Sequence, residues 1–279
     1  MSSHKDLISI IIPTKDRPEY LKDAIESAIA QTYPKKEILV MDGGKDPKTY
    51  ELCKNYNVKY IRNPKRNTAS AFNIAINEMN GEWFKWLSDD DYLAPNALYE
   101  LLEANGEIVY GEYYRVNPEK KILQKFKEPS FKTWEEFAFA MYDHHIGNGS
   151  ASIIHKSCFD KVGKFDESLE MHEDYDWWMR AAIVAKIKFK VVHKAICFYR
   201  VHPGQLTFER QAKAMEINKV IREKLRLSVD DGYWEWFDRE QKIYNKKPLK
   251  KRFKIFIISI LSHFPTGVKN LAFNIRRAF

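Results

Sequence analysis

Little in this chain supports a secreted, zinc-bound or membrane-spanning protein. Only three cysteines occur in 279 residues, Cys53, Cys158 and Cys197, far apart and without a CxxC spacing. No even set is present to form a disulfide framework, and a reducing compartment, the cytoplasm, is expected. The opening MSSHKDLISIIIPTKDR lacks the long uncharged core and small-residue cleavage site of a signal peptide. Its apolar run, Leu7 to Ile12, is a strand's length, and the later run, Ile255 to Leu261, is far below the roughly 20 residues a spanning helix needs. The histidines show no HxxxH or HExxH spacing, which argues against zinc. GxGxxG, GxxxxGK(S/T) and GxSxG are absent as well, so any nucleotide binding is of another kind. There is no internal repeat and no low-complexity tract.

What the chain does contain is an ordinary globular composition, 44% apolar and 30% charged, of a length that suits one or two domains. The formal charge is +8, from 46 basic against 38 acidic residues, but it is unevenly placed. From Gln241 to Phe279 there are ten Lys or Arg and no acid, which leaves 36 basic and 38 acidic groups in the first 240 residues. The body is therefore not basic, and no nucleic-acid partner is expected. In the tail, KKPLKKRFKIFIISILSHFPTGVKNLAFNIRRAF, basic clusters adjoin an apolar stretch, a pattern that suits the anionic face of a membrane. A C-terminal helix packed on the body with a solvated basic face has the same pattern.

Residues 7 to 110 alternate between two periods. Leu7 to Ile12 is a continuous apolar run, as in a strand buried on both faces. Asp16 and Pro18 then supply a cap and a first-turn proline, and Leu21, Ala24, Ile25, Ala28 and Ile29 make one helical stripe. Further strands are predicted at Glu37 to Met41, Val58 to Ile61, Trp83 to Leu87 and Glu107 to Tyr110. Helices are predicted after Pro47, along Phe72, Ala75, Ile76 and Met79, and from Pro95. Such alternation implies right-handed crossovers and an open, mostly parallel α/β sheet, whose ligands lie beyond the carboxyl ends of the strands. Farther on, a helix is expected at Trp134 to Met141, a strand at Ala151 to Ile154 and a helical stripe along Trp178, Ala181, Ala182 and Ala185. Strands at Lys188 to Val192 and Ile196 to Arg200 follow, and the chain from Glu209 reads as helical.

The residues just past the early strands are polar: Thr14 to Arg17, Asp42, Arg62 to Asn67 and Ser88 to Asp91. Asp89, Asp90 and Asp91 in a row repel one another unless a cation or a set of donors holds them, and hard oxygen ligands suit Mg²⁺ or Mn²⁺. Asp91 could instead cap the helix near Pro95. Asp42, before Gly43 and Gly44, can accept from a base N–H or a ribose hydroxyl, and the same Asp-Gly pair suits a plain turn. Glu173, Asp174 and Asp176, among Tyr175, Trp177 and Trp178, offer either a general base with a raised pKa or an acidic first helical turn over core tryptophans. His202 stands beside Arg200 after a predicted strand.

Together these segments resemble the family 2 glycosyltransferases of GT-A (Rossmann-like) fold. ISIIIPTKDRPEYLKDAIESAIAQTYPKKEILVMDGG is similar to that family's nucleotide-binding half, WFKWLSDDDYLAP to its DxD region, VGKFDESLEMHEDYDWWMR to its acceptor-side segment and YRVHPGQLT to its closing loop. The resemblance spans about residues 7 to 207 and implies a GT-A domain over 1–208, nucleotide-binding to 111 and acceptor-binding from 112, followed by a helical, basic extension over 209–279. It implies that Pro13, Thr14 and Arg17 lie near the base, that Asp42 holds uracil, and that Asn67 and Asp89 join the nucleotide site. Asp90 and Asp91 would hold a divalent metal, Mn²⁺ or Mg²⁺, on the diphosphate with help from His202. Asp174 would deprotonate the acceptor, Glu173 would orient Asp174 or the acceptor, and Trp177 and Trp178 would face the acceptor.

The implied reaction is inverting hexosyl transfer from a nucleoside-diphosphate sugar, UDP-linked, to a glycan or lipid-linked hydroxyl at the inner membrane face. A metal-bound diphosphate leaves without a protonating acid, so one base suffices where a glycosidase needs two carboxyl groups. A catalytically idle module that binds a sugar nucleotide or glycan would carry the same resemblance. Three positions depart from the family pattern: Ser88 replaces the usual first Asp of the DxD, Phe72 stands where Arg often precedes Asn73, and Gly43 takes the place of a second acid.

Overall fold

A computed structural model of the chain describes residues 6–143, 146–203, 205 and 211–246. The basic tail beyond Lys246, on which the membrane-facing expectation chiefly rests, lies outside the described residues. Among those residues nine strands make one sheet. They are β1 (Ile8–Thr14), β2 (Lys36–Asp42), β3 (Lys59–Arg62), β4 (Trp83–Trp86), β5 (Tyr92–Leu93), β6 (Ile108–Val116), β7 (Ile122–Phe126), β8 (Ser152–His155) and β9 (Phe189–Arg200). Their spatial order is β3-β2-β1-β4-β8-β6-β9-β5, with β7 paired to the free part of β6. The expected open sheet with flanking helices is present. Its first half is parallel, whereas β8 enters antiparallel between β4 and β6, and β5 and β7 also pair antiparallel.

The continuous apolar runs are continuous because both faces are covered. On β1, Ile8, Ile10 and Ile12 face the cluster that includes Leu21, Ala24 and Ile25 of α1 (Pro18–Ile29), while Ile11 faces the cluster that includes Ala71, Phe72 and Ala75 of α3 (Thr68–Glu78). This is the period-2 alternation of a central strand. Helices α2 (Lys48–Asn55) and α4 (Ala97–Glu103) complete the crossovers. Pro18 opens α1 as expected, but Asp16 is not its cap: Arg17 holds that position and makes no side-chain cap bond.

The later half differs more from the sequence pattern. β6 runs on from Tyr110 to Val116, and β9 is one strand where two were expected, with irregular register opposite Gly111 to Tyr113 absorbing the break. Helix α5 (Trp134–Asp143) lies near its expected place, and α6 (Ser157–Val162) carried no strong pattern. Helix α7 (Glu173–Met179) continues as a π-helical turn, Arg180–Val184, closed by Ala185 N–H on Arg180 O. Two last helices, α8 (Gln211–Ser228) and α9 (Asp231–Lys246), place Ile221, Leu225, Trp234 and Phe237 in the same core as α3, α5 and α7. No helix among the described residues is long and apolar enough to cross a membrane.

Candidate active site

The carboxyl ends of β1, β2 and β4 converge. Gly43 N–H donates to Thr14 O at 2.9 Å, and Asp16 accepts from the backbone N–H groups of Lys45 and Asp46. These loops are so close that a β-carbon on Gly44 would lie 2.6 Å from Asp16 N, and one on Gly43 3.0 Å from Arg66 Cα. Asp16 and Arg66 both have positive φ, 55° and 61°. Such residues persist only where the surroundings fix them, and they gather at functional sites.

Asp42 is 2% exposed at the end of β2. Its Oδ1 accepts from Gly44 N–H at 2.7 Å, and its Oδ2 from Tyr60 OH at 2.9 Å and Arg62 Nη1 at 3.0 Å. Pro13 lies in β1 opposite Met41, one residue short of the crevice.

The three consecutive aspartates are separated by their partners. Asp89 accepts from Thr14 Oγ1 at 2.7 Å and Arg17 Nη2 at 2.6 Å. Asp90 Oδ2 accepts from Arg17 Nη1 at 3.0 Å and lies 3.1 Å from His202 Nε2. Asp91 turns inward: its Oδ1 accepts from Arg200 N–H at 3.0 Å, and its buried Oδ2 has no partner within hydrogen-bond distance. Burial, reinforced by the Asp90 charge, pushes Asp89 up to about 7 and Asp91 well above the usual carboxylate range. Burial acts on Asp90 in the same sense, but the His202 hydrogen bond and the Arg17 charge outweigh it and hold Asp90 below its ordinary value. Asp91, expected beside Asp90 as a metal ligand, bonds the β9 backbone through its Oδ1.

Asp90 and His202 are the residues that could hold a metal. An octahedral Mg²⁺ or Mn²⁺ with ligands at about 2.1 Å sets neighbouring ligand atoms about 3 Å apart, close to the 3.1 Å between Asp90 Oδ2 and His202 Nε2. Among the described residues no three His, Cys, Asp or Glu side chains group to enclose an ion. That donor set fits a hard cation completed by water and substrate phosphate better than a closed structural site.

Glu173 and Asp174 open α7, which His172 caps in the left-handed region at φ 64°. Burial and the Asp174 charge push Glu173 up to about 7, opposed by a hydrogen bond with the Thr68 side chain. Thr68 is the first residue of α3, and Asn67 caps that helix, its Oδ1 accepting from Ser70 N–H at 2.7 Å. Asn67 Nδ2 also reaches Glu167 O at 3.4 Å, and Asn73 grips Phe165 N and O and Glu167 Oε1 at 2.8–2.9 Å. Glu173 is thereby set against the first residue of α3, and the segment at Phe165–Glu167 ahead of it is held by Asn67 and Asn73.

Trp177 and Trp178, expected to face the acceptor, lie in the core. They are 1% and 4% exposed, Trp177 stacks on Phe165 and donates to Gly163 O at 2.9 Å, and Trp178 packs on Phe189. At the second turn of a helix entering the core, burial of the indoles wins over exposure.

Several residues at the site carried little signal in the sequence. Arg200 is 3% exposed, donating through Nε to Asp90 O at 2.9 Å and through Nη2 to Asp23 at 2.6 Å. Lys85 lies in the core under the aspartates, bonded to the carbonyls of Trp86 and Ser150, and burial lowers its pKa to about 7. A lone Lys inside the apolar strand WFKWL is the trace it leaves in the sequence. Tyr60 and Arg62 reach Asp42 from β3, a pairing visible only once the register places Arg62 beside Asp42.

The curled α/β sheet with flanking helices is the fold of solved GT-A glycosyltransferases. The family model described as glycosyl transferase family 2 matches residues 9–163. A protein named an uncharacterised glycosyltransferase of Rickettsia typhi is 32% identical over 216 residues, covering 74% of this chain and 67% of that one. The chondroitin synthase of Pasteurella multocida is 28% identical over 258 residues, 86% of this chain but 26% of the synthase. Among solved structures, S. aureus TarS 1–349 in complex with UDP-GlcNAc has a TM-score of 0.62 at 17% identity, covering 90% of this chain and 79% of that one. The mannosyltransferase PcManGT of Pyrobaculum calidifontis, solved with GDP-Man and Mn²⁺, has a TM-score of 0.63 at 14% identity, covering 99% of this chain and 81% of that one. The chain belongs to glycosyl transferase family 2, and it is a glycosyltransferase.

Proposed function

We propose that the protein moves a sugar from a nucleoside-diphosphate donor, UDP-linked, to a hydroxyl of a glycan or lipid-linked acceptor, with inversion at the anomeric carbon. The observation that carries this is the Asp90–His202 pair, set 3.1 Å apart at the carboxyl ends of the parallel strands and backed by Arg17, Asp89 and Thr14. Asp90 and His202 would hold Mn²⁺ or Mg²⁺, with Asp91 buttressing their loop through Arg200. The metal, when bound, neutralises the diphosphate as it leaves.

The chain's own groups do the rest. Asp42, with Pro13 and Thr14 beside it, receives the base; Asn67 and Asp89 line the path to the diphosphate. Asp174 takes the proton of the acceptor hydroxyl. Glu173 stands beside it, its carboxyl pushed up to about 7 by burial and by the neighbouring Asp174 charge. No second acid is required, because the leaving group is already a stable anion. The ten basic residues from Gln241 onward bring the enzyme to the anionic inner face of the membrane, where a lipid-linked acceptor resides.

The test is a panel of UDP, GDP and dTDP sugars with and without Mn²⁺, read by thermal shift and by release of free nucleotide. The expected result is a Mn²⁺-dependent response to a UDP sugar. Donor binding without turnover identifies an idle module, and no metal-dependent response to any donor contradicts the proposal.

A further inference from the structure

Helix α8 lies beyond the family-matched segment, yet it grips the approach to the carboxylate pair at four points. Lys224 reaches Asp166 at 2.9 Å, Lys213 pairs with Glu170, Asn218 Oδ1 lies 2.5 Å from His172 Nδ1, and Arg222 Nε donates to Tyr175 OH at 3.1 Å. Ile221 and Leu225, 1% and 4% exposed, anchor the same helix in the core.

The third of these contacts falls on the residue that decides where α7 points. His172 caps α7 with φ 64° and ψ 25°, and its side chain makes no cap bond to that helix. A non-glycine residue in this region is uncommon and is retained where neighbours over-determine it. Because an amide oxygen only accepts, the bond to Asn218 Oδ1 places the His172 proton on Nδ1. His172 O in turn accepts from Asp176 N–H at 3.0 Å, closing the first turn, which carries Glu173 and Asp174. The backbone angles at residue 172 therefore set the direction of both carboxylates, and Asn218 holds the ring that holds those angles.

We propose that Asn218 and His172 are positioning residues: through them α8 aims Asp174 at the acceptor hydroxyl. This rests on Asp174 being the base. Two outcomes of the experiment separate a failure of the pairing from a failure of that assignment.

The experiment uses the full chain with Mn²⁺ and the panel donor that gives the fastest wild-type release of nucleotide. It compares Asn218→Ala, Asn218→Asp, His172→Gly and the Asn218→Ala/His172→Gly double variant. Backbone amide exchange across residues 173–179 is followed in parallel. Misplacement of a reacting group by about 1 Å can cost up to a hundredfold, so Asn218→Ala and His172→Gly should each lower kcat about ten- to a hundredfold, with donor KM unchanged within about twofold. Exchange at 173–179 should quicken by about the same factor. The double variant should be no slower than the worse single one, since both cut one contact. Asn218→Asp, which keeps the accepting oxygen, should restore most of the turnover. Wild-type kcat in Asn218→Ala, unaltered exchange at 173–179, or effects that multiply in the double variant would overturn the proposal. If Asp174→Asn keeps full turnover, or the wild type releases nucleotide from no donor, the assignment of the base fails and the proposal falls with it. If Asp174→Asn is inactive while Asn218→Ala is unimpaired, the pairing alone fails.

Discussion

Asp89, Asp90 and Asp91 are consecutive, and each meets a different environment. Asp89 is held by Thr14 and Arg17, Asp90 by Arg17 and His202, and Asp91 by the Arg200 backbone. Asp90→Ala should therefore weaken Mn²⁺ and donor binding together, read by calorimetric titration of UDP with and without Mn²⁺. Asp174→Ala should leave that titration unchanged while lowering transfer by about 10²- to 10⁴-fold, the range of a lost general base. Glu173 supplies a pH signature. Burial and Asp174 raise it from 4.5 to about 7, so between those values the folded protein retains a proton that the unfolded chain has released. Stability should consequently fall as pH rises through that window and level off above it. The span from 4.5 to about 7, at about 1.4 kcal/mol per unit, bounds the loss at about 3–4 kcal/mol. Glu173→Gln cannot ionise, so in urea unfolding it should gain on the wild type between pH 5 and pH 8; an equal difference at both pH values would contradict this origin.

At the scale of elements, the parts that were legible in the sequence are those whose environment repeats. β1 is apolar at every other position for each face, and α1 shows one stripe, because both meet a continuous core. The carboxyl-end loops could be placed for the same reason: once the strands are found, polarity marks the crevice. What could not be read depends on partners distant in sequence. Arg200 meets Asp90 across 110 residues, β6 is extended by pairing with β7 and β9, and the indoles of Trp177 and Trp178 are buried by Phe165 and Phe189. Glycine marks one such long-range contact sharply. A β-carbon on Gly149 would lie 2.4 Å from the Trp86 ring, behind the aspartate loop. Gly149→Ala should cost about 1–3 kcal/mol by overpacking, seen as a drop of several degrees in Tm. An unchanged Tm would mean that the ring has room to move.

The whole molecule does not divide cleanly where the family resemblance ends near residue 207. Ile221, Leu225, Trp234 and Phe237 belong to the core shared with α3, α5 and α7. At about 1.5–3 kcal/mol for each buried side chain, their removal forfeits roughly 6–12 kcal/mol, comparable to the whole stability of a typical domain of about 5–15 kcal/mol. A chain ending at residue 208 should therefore fail to fold cooperatively, as judged by the absence of a sharp thermal transition. One ending after Lys246 keeps α9 but loses most of the basic tail, and it should fold yet no longer co-sediment with anionic vesicles. Equal sedimentation of the full and shortened chains would remove the membrane from the proposal. The +8 total therefore says little about the body, where the first 240 residues hold slightly more acid than base and where the carboxylates of the proposed mechanism lie. The most direct measurement is Mn²⁺-dependent release of UDP from a UDP sugar by the wild type, Asp90→Ala and Asp174→Ala. Release by the wild type alone, with UDP–Mn²⁺ binding kept in Asp174→Ala and weakened in Asp90→Ala, is the expected result. Release that needs neither the metal nor these two carboxylates would contradict it.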